Sequence, residues 1–410
     1  MRSIEYENVL RNMNKPVACV LGSYITGLGV IRSLGRRGIP IIGLDNDPRQ
    51  IGFFSRYCIG VACPHPKNNE KEYVDFLMTL GEKLHERGVL IPTTDKEIPA
   101  ILKNRGKLEK YYRFPMARLE VTEKILNKIS FYKTLEKLDI PFPKTYFPNN
   151  VSEVKEISNE IRYPCIVKPA YSSYFKIDFQ TKLFLTENRE KLIRCYERAR
   201  AKNHEVMVQE IIPGEASNMY GFNAYFDQRF KSKGIFMYRR IREWPHMFGN
   251  GCLIESVTVP ELKDIITPLI KSIRYYGIVD AEFKKDPRDD MFKLLEINAR
   301  PWMENSLPTR CGINLSYMAY MDAIGKDVEN ANMGREGVKW LFIFDDIMSA
   351  RKNMAKGKLT VYEWIKSFHG EKEYAIFTWN DPLPFLVFLI KSCYTVLKYF
   401  LKRSNHGISE

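Results

Sequence analysis

The stretch Met291–Trp302 reads Met-Phe-Lys-Leu-Leu-Glu-Ile-Asn-Ala-Arg-Pro-Trp, an apolar run that ends in Glu296, Asn298 and Arg300. Along a strand, side chains two apart share a face. A carboxylate, an amide oxygen and a guanidinium therefore stand in a row, while Leu295, Ile297 and Ala299 point the other way. Hard oxygen ligands beside a fixed cation suit magnesium and the phosphate it bridges. Upstream, Gly277-Ile-Val-Asp-Ala-Glu-Phe283 reads as the preceding strand, and it carries Glu282. The connection Lys285-Asp-Pro-Arg-Asp-Asp290 is rich in turn formers. A hairpin there sets Glu282 beside Glu296, two acids able to share a pair of magnesium ions. The plainer alternative is a solvated strand face with a chance ion pair, and the upstream lysines weigh against it.

Those lysines sit at element ends. Tyr163-Pro-Cys-Ile-Val-Lys-Pro-Ala170 reads as a buried strand that delivers Lys168, with Pro169 stopping the ladder. Lys128 falls on a helix expected over 123–138, followed by Asp139-Ile-Pro-Phe-Pro-Lys-Thr145. Val206-Met-Val-Gln-Glu-Ile-Ile-Pro-Gly-Glu215 is a strand that breaks at Pro213-Gly214. A strand-end lysine, a strand running into Pro-Gly, then paired acids before Asn-x-Arg: in this order the chain resembles the ATP-grasp superfamily over about residues 15–325.

The resemblance implies an α/β chain: a Rossmann-like N-terminal domain, then a two-lobed α+β ATP-grasp fold, with an amphipathic C-terminal helix. It implies ATP and Mg2+ as cofactors, with Mn2+ able to substitute. Lys128 and Lys168 match the lysines that contact ATP phosphates, and Gln209, Glu210, Ile211 and Ile212 match the hinge bordering adenine. Glu215 matches an acid that reaches the ribose hydroxyls. Glu282, Glu296 and Asn298 match the magnesium ligands, and Arg300 the arginine beside the transferred phosphoryl group. One departure stands out. The flexible lid after the second lysine is usually glycine-rich, but here it reads Ala170-Tyr-Ser-Ser-Tyr-Phe-Lys-Ile-Asp178. Without glycine, backbone amides approach phosphates less freely. Ser172, Ser173, Lys176 and, in the next strand, Lys182 can replace those contacts with side-chain donors.

Between hinge and magnesium face, Arg240 and Arg242 alternate on one expected strand face, with Arg239 on the other, and Gly249-Asn-Gly251 forms a turn. An arginine fork binds a carboxylate or an acyl phosphate bidentately, so both arginines join Arg300 as candidate catalytic groups. A basic surface strand is the bland reading. His246 is a further, lesser candidate.

Two function classes follow, and a variant of the first. The first is an ATP-dependent carboxylate–amine ligase that forms an acyl phosphate and then an amide, releasing ADP and phosphate, on small-molecule or nucleotide-linked substrates. Within the superfamily the resemblance is closest to D-aspartate ligase and to ligases of cell-envelope polysaccharide pathways. The second class is a non-catalytic nucleotide-binding sensor or scaffold. The variant is carboxylation or carbamoyl-phosphate chemistry on the same fold.

The elements that position these groups can be read outward. At 410 residues, with 45% hydrophobic and 27% charged residues, the chain has the make-up of a folded protein with two or three cores. A net charge of +14 points to anionic partners. The charge is spread along the chain without a nucleic-acid-binding signature, so no nucleic-acid partner is expected. The eight cysteines show neither zinc spacing nor a disulfide framework. Met1-Arg-Ser-Ile-Glu-Tyr-Glu7 lacks the apolar run of a signal peptide. A cytoplasmic setting follows, and a homo-oligomer is compatible with it.

The expected domains are a Rossmann-like layer over 1–120, a lobe with the phosphate-binding lysines over 121–210 and a lobe with the magnesium face over 211–330. An extension over 331–380 and an amphipathic tail over 381–410 follow. Pro16–Gly22, the helix Gly27–Gly38 and Pro40–Leu44 make a βαβ unit with parallel pairing. Gly22, Gly27 and Gly29, with Asp45, invite a dinucleotide reading, but the third glycine of the fingerprint would fall at Arg32. Gly22 then serves a turn and Gly29 close helix packing. Thr93, Thr94 and Asp95 are placed at the end of a later strand. In the tail, Phe385–Leu401 reads as a helix with Lys391, Thr395, Lys398 and Lys402 on one stripe. It is too short in its apolar run to span a bilayer. Two readings stay open: an interfacial helix at the inner face of a membrane, or a helix docked on the chain's own core or a dimer partner.

Overall fold

The structure is a computed structural model that describes residues 15–332 and 334–406. The N-terminal residues Met1–Glu7 lie outside the described residues, as do the side chain of Ser173 and most side chains from position 396 onward. The chain forms two compact units, residues 1–114 with 303–306 and 374–410, and residues 115–302 with 307–373.

In the first unit, β1 (Ala18–Leu21), β2 (Ile41–Asp45), β3 (Ile59–Ala62), β4 (Gly88–Pro92) and β5 (Tyr112–Arg113) pair in parallel in the order β3-β2-β1-β4-β5. Every residue of β1, β2 and β4 is buried, which explains their unbroken apolar runs: strands covered on both faces do not alternate. Helix α1 (Ile25–Gly35) connects β1 to β2. Gly22 turns the chain between them at φ +85°, and a Cβ there would meet the Thr93 hydroxyl at 2.6 Å. Only glycine fits that turn. Asp45 accepts the backbone amides of Ser23 and Asp47, so its carboxylate is spent on the chain itself. Gly29 makes room for the side chain of Asn305 rather than for the sheet.

The second unit begins with α2 (Leu119–Leu126) and α3 (Lys128–Lys137). The single helix expected over 123–138 is broken at Asn127, whose side chain caps α3 by accepting the amide of Ser130. A four-stranded antiparallel sheet follows, β6 (Thr145–Tyr146), β7 (Cys165–Pro169), β8 (Phe184–Thr186) and β9 (Val206–Glu210), in the order β6-β9-β7-β8. Between β7 and β8 the segment expected as a flexible lid is a helix, α4 (Ser172–Phe179). Phe175 is fully buried and packs edge-on to Phe184 and tilted against Phe179 one turn away. That aromatic cluster orders the segment where the absence of glycine already disfavours a loose loop.

The larger sheet runs β14 (Phe292–Asn298), β13 (Gly277–Lys285), β10 (Met219–Phe226), β11 (Ser232–Trp244), β12 (Asn250–Ser256), β16 (Lys339–Leu341) and β17 (Lys372–Tyr374) in spatial order, with β15 (Ala331–Asn332) paired to β11. Helix α5 (Pro260–Ile273) buries Leu262, Ile266, Leu269, Ile270 and Ile273, the i, i+4, i+7 stripe of its sequence. These meet Phe222, Val279, Leu294 and Ile297 in the main core. Farther along, α6 (Ile343–Ala355) is pinned to the sheet by Asp346, which accepts from Arg242 and from the Trp364 indole.

The tail helix α7 (Leu383–His406) belongs to the first unit. Among the described residues, no helix is long and apolar enough to cross a membrane. Lys391, expected on an outward stripe, instead donates to the Arg49 carbonyl at 2.9 Å. The tail is docked on its own unit along one side.

Candidate active site

The hairpin β13–β14 builds the acidic wall. Its register sets Glu282 directly opposite Glu296 and Asp280 opposite Asn298. The turn is locked by Asp286, whose fully buried carboxylate accepts from Arg288 and Lys293. Register then slips by one: Phe283 pairs with Leu294, leaving Leu295 as a bulge. A bulge re-aims its side chain. Leu295 accordingly lines the cleft beside Glu296, against the expectation from simple alternation, while Ile297 and Ala299 do enter the core. The Leu295 carbonyl accepts from the Tyr132 hydroxyl at 2.6 Å and from Lys168 at 3.4 Å.

Two lysines reach this wall. The Lys128 ammonium lies 2.6 Å from a Glu296 carboxylate oxygen. It starts α3, directly after the Asn127 cap, and its own amide donates to the Ala170 carbonyl. The helix break that sequence reading missed is what aims it. Lys168 donates to the Tyr132 hydroxyl at 3.0 Å and lies over that ring. Burial alone would raise the Glu296 pKa, but Lys128 and Lys168 override it and hold the group at about 2. Burial likewise pulls the Lys168 pKa down, against the pull of Glu296 and Glu282. Glu296 stays ionised because the lysines face it.

Arg240 and Arg242 part company. Arg240 donates to Glu282 at 3.0 Å, to Glu243 at 3.2 Å and to the Gly249 carbonyl at 3.1 Å, and it lines the cleft. Arg242 is buried against Asp346 at 2.6 Å and Ser367 at 2.8 Å, outside the lining. The reason lies in the ladder. Arg240 pairs with Ile254 and Arg242 with Leu253, so Ile241 is extra and the faces invert across it. His246 packs edge-on to Trp244 and is not part of the lining.

Of the remaining candidates, Ser172, Lys182, Gln209, Glu210, Ile211 and Ile212 line the same cleft. Glu210 is also tied to the Lys144 amide and to Arg288. Lys176 is exposed on α4 and Glu215 pairs with Lys358, both outside the lining. Arg300 lies two residues beyond the end of β14 and donates to the Pro301 carbonyl; its charge lowers the pKa of Asp280. Asn298 donates its amide nitrogen to Asp280 at 3.0 Å.

Three contributors escaped the sequence reading. Buried Asp280 takes amide donors from both Asn298 and Asn223, so the Asn298 carboxamide is held in one orientation with its oxygen turned elsewhere. Burial and neighbouring Glu282 push its pKa up to about 7, against those donors. Lys284 lines the cleft and donates to the Gly214 carbonyl. Tyr132 orients Lys168. The period of two from Glu282 names Asp280 and Lys284 at once; Tyr132 left no such signal.

Among the described residues, no three His, Cys, Asp or Glu side chains converge on a metal site. Two carboxylates and an amide oxygen fit magnesium, which keeps several waters and completes its shell with substrate phosphates rather than with a full protein cage.

No family model matches the chain. It is 30% identical over 268 residues to a D-aspartate ligase of Enterococcus faecium, a match covering 62% of this chain and 63% of that relative. The aligned part is thus just under two thirds of the relative's length. Among solved structures, N5-carboxyaminoimidazole synthetase of Staphylococcus aureus superposes at a TM-score of 0.60 with 14% identity, over 78% of this chain and 80% of that one. An L-amino acid ligase of Bacillus licheniformis gives 0.57 and 13%, over 76% and 75%. The chain thus shares its fold with these structures over about three quarters of its length, with the lysines of α3 and β7 and the acids of the β13–β14 hairpin gathered on one cleft.

Proposed function

We propose that the protein is an ATP-dependent ligase that activates a carboxylate as an acyl phosphate and joins it to an amine, releasing ADP and phosphate. The observation that carries this reading is the pairing of two cleft acids with cleft cations, Glu296 with Lys128 and Glu282 with Arg240. A site that binds and transfers phosphate needs both partners released: the cations to phosphate oxygens, the acids to the metal.

A carboxylate is a poor electrophile at neutral pH. Its oxygen attacks the γ-phosphorus, the bond from that phosphorus to the β–γ bridging oxygen breaks, and ADP leaves. The amine then attacks the acyl carbon, phosphate departs with the electron pair, and the nitrogen loses a proton. Lys128, Lys168 and Lys182 neutralise the phosphates, and Arg240 holds the acyl phosphate end. Ile211 and Ile212 border the base. Magnesium, for which manganese can substitute, would be held by Glu282, Glu296 and Asn298 and would spread the charge on the transferring group. Asp280 positions Asn298. Positioning and electrostatics carry the catalysis, with no covalent protein nucleophile. D-aspartate, the substrate named by the Enterococcus relative, is the first carboxylate to offer. Free cysteines throughout suit a reducing, cytoplasmic setting.

The test is ADP release with a panel of amino acids, with hydroxylamine present to trap the acyl phosphate as a hydroxamate. ADP and hydroxamate appearing together with one carboxylate support the reading. ATP binding without turnover on any carboxylate would make the chain a nucleotide sensor. Turnover supported by bicarbonate in place of an amino acid would move it to carboxylation or carbamoyl-phosphate chemistry.

A further inference from the structure

The tail of the first unit is mounted on it firmly. The buried Asp381 carboxylate accepts from Arg32 at 2.9 Å, Ser55 at 2.7 Å and the Arg56 amide at 2.9 Å. Phe377 packs against Trp379 and Phe385. Eight residues into α7, Lys391 bonds the Arg49 carbonyl and pairs with Asp47. One side of the helix is committed by these contacts.

Another side is not. Leu383, Leu386, Ile390 and Tyr394 follow at spacings of three, four and four, which align on a helix. All four are exposed, Ile390 at 69%, and Trp379 at the root of the helix is 87% exposed. Single exposed apolar residues are ordinary, but an aligned row of them marks an interaction surface. The charge around the row says what it meets. From Pro382 to Ser409 the sequence holds no aspartate or glutamate, yet beyond Lys391, which pairs with Asp47, it holds Lys398, Lys402 and Arg403. Exposed Lys398 follows Tyr394 by one turn, on the margin of the row. A second copy packed here would bring cations against cations with no acid between them, whereas anionic head groups would neutralise them. Tryptophan and tyrosine, with apolar bodies and polar tips, suit that boundary.

We propose that this face of α7 docks on an anionic lipid surface, the helix lying in the plane of the interface with Leu386 and Ile390 in the acyl boundary. The docking is independent of the ligase chemistry.

The experiment is flotation of the full chain with vesicles of phosphatidylcholine containing about one third phosphatidylglycerol, and with phosphatidylcholine alone, at low salt. The chain is expected to float with the anionic vesicles and to release as salt is raised. The pair Leu386→Glu and Ile390→Glu, both on the exposed face, should cut the bound fraction about tenfold with an unchanged melting profile. A chain that stays at the bottom of the gradient overturns the proposal, and so does a double variant that floats as well as its parent. A concentration-dependent dimer dispersed by Ile390→Glu, with no flotation, would assign the face to a second copy instead.

Discussion

Lys128 and Glu296 meet at 2.6 Å although 168 positions separate them. Glu296 also feels Lys168, and its pKa is held at about 2 by the two lysines against burial. The acid is therefore held ionised near neutral pH. In the proposed reaction phosphates would draw Lys128 away and a divalent metal would take its place. Glu296→Gln keeps shape and hydrogen bonding but removes the charge. ADP formation should fall by at least about a thousandfold, the scale of a lost charge-stabilising contact in phosphoryl transfer, with the melting temperature little changed. A variant that turns over with normal magnesium dependence would move the metal elsewhere.

Lys168 is held differently, by the Tyr132 hydroxyl and the Leu295 carbonyl rather than by an acid. In the proposed reaction it would approach phosphate without first breaking an ion pair. Lys168→Ala should weaken ATP binding by about 1.5–3 kcal/mol, the worth of hydrogen bonds to a charged group. Calorimetry of nucleotide binding checks this, and Tyr132→Phe should show a smaller loss in the same direction. Equal affinities for parent and Lys168→Ala would take the lysine out of the site.

What the sequence disclosed and what it withheld have physical causes. Glu282 opposite Glu296 was legible because a turn-rich connection between two apolar runs specifies a hairpin, and register does the rest. Leu295 and Arg242 were not, because each lies at or next to an extra residue in one strand of a pair. Alternation is a property of one strand; a bulge is a property of two. The lid region shows a similar limit. Its missing glycines were visible, but the helix there depends on Phe175 finding Phe184 across the lobe. The parallel pairing of β1 with β2 followed from buried runs and a βαβ unit, whereas the return of the tail to Arg32 through Asp381 has no local signal.

Arg240 and Arg242, two residues apart, should separate cleanly by mutation. Arg242 and Asp346 are both nearly inaccessible, so Arg242→Met strands a buried carboxylate. A loss of about 3–5 kcal/mol is expected in urea unfolding, with nucleotide affinity unchanged in whatever remains folded. Arg240→Met should cost catalysis at saturating ATP. A stability loss confined to Arg240→Met, with Arg242→Met neutral, would contradict the pairing across the bulge.

The last expectation concerns acid. Asp286 has no accessible side-chain surface, and hydrogen bonds from Arg288 and Lys293 outweigh burial to hold its pKa below the ordinary 3.8. A carboxyl whose folded pKa is depressed contributes stability in full above its unfolded value. That contribution fades as pH falls below 3.8 toward the lower folded value. Asp286 also ties the turn to Glu210 through Arg288, so the end of β9 and the β13–β14 hairpin share the dependence. Asp286→Asn should therefore be less stable than its parent by about 2–3 kcal/mol at neutral pH, on the scale of charged hydrogen bonds. The gap should narrow steadily in urea melts taken below about pH 4, as the parent's own carboxyl becomes protonated. A gap that stays constant into strong acid would show that the turn depends on the shape of the side chain and not on its charge.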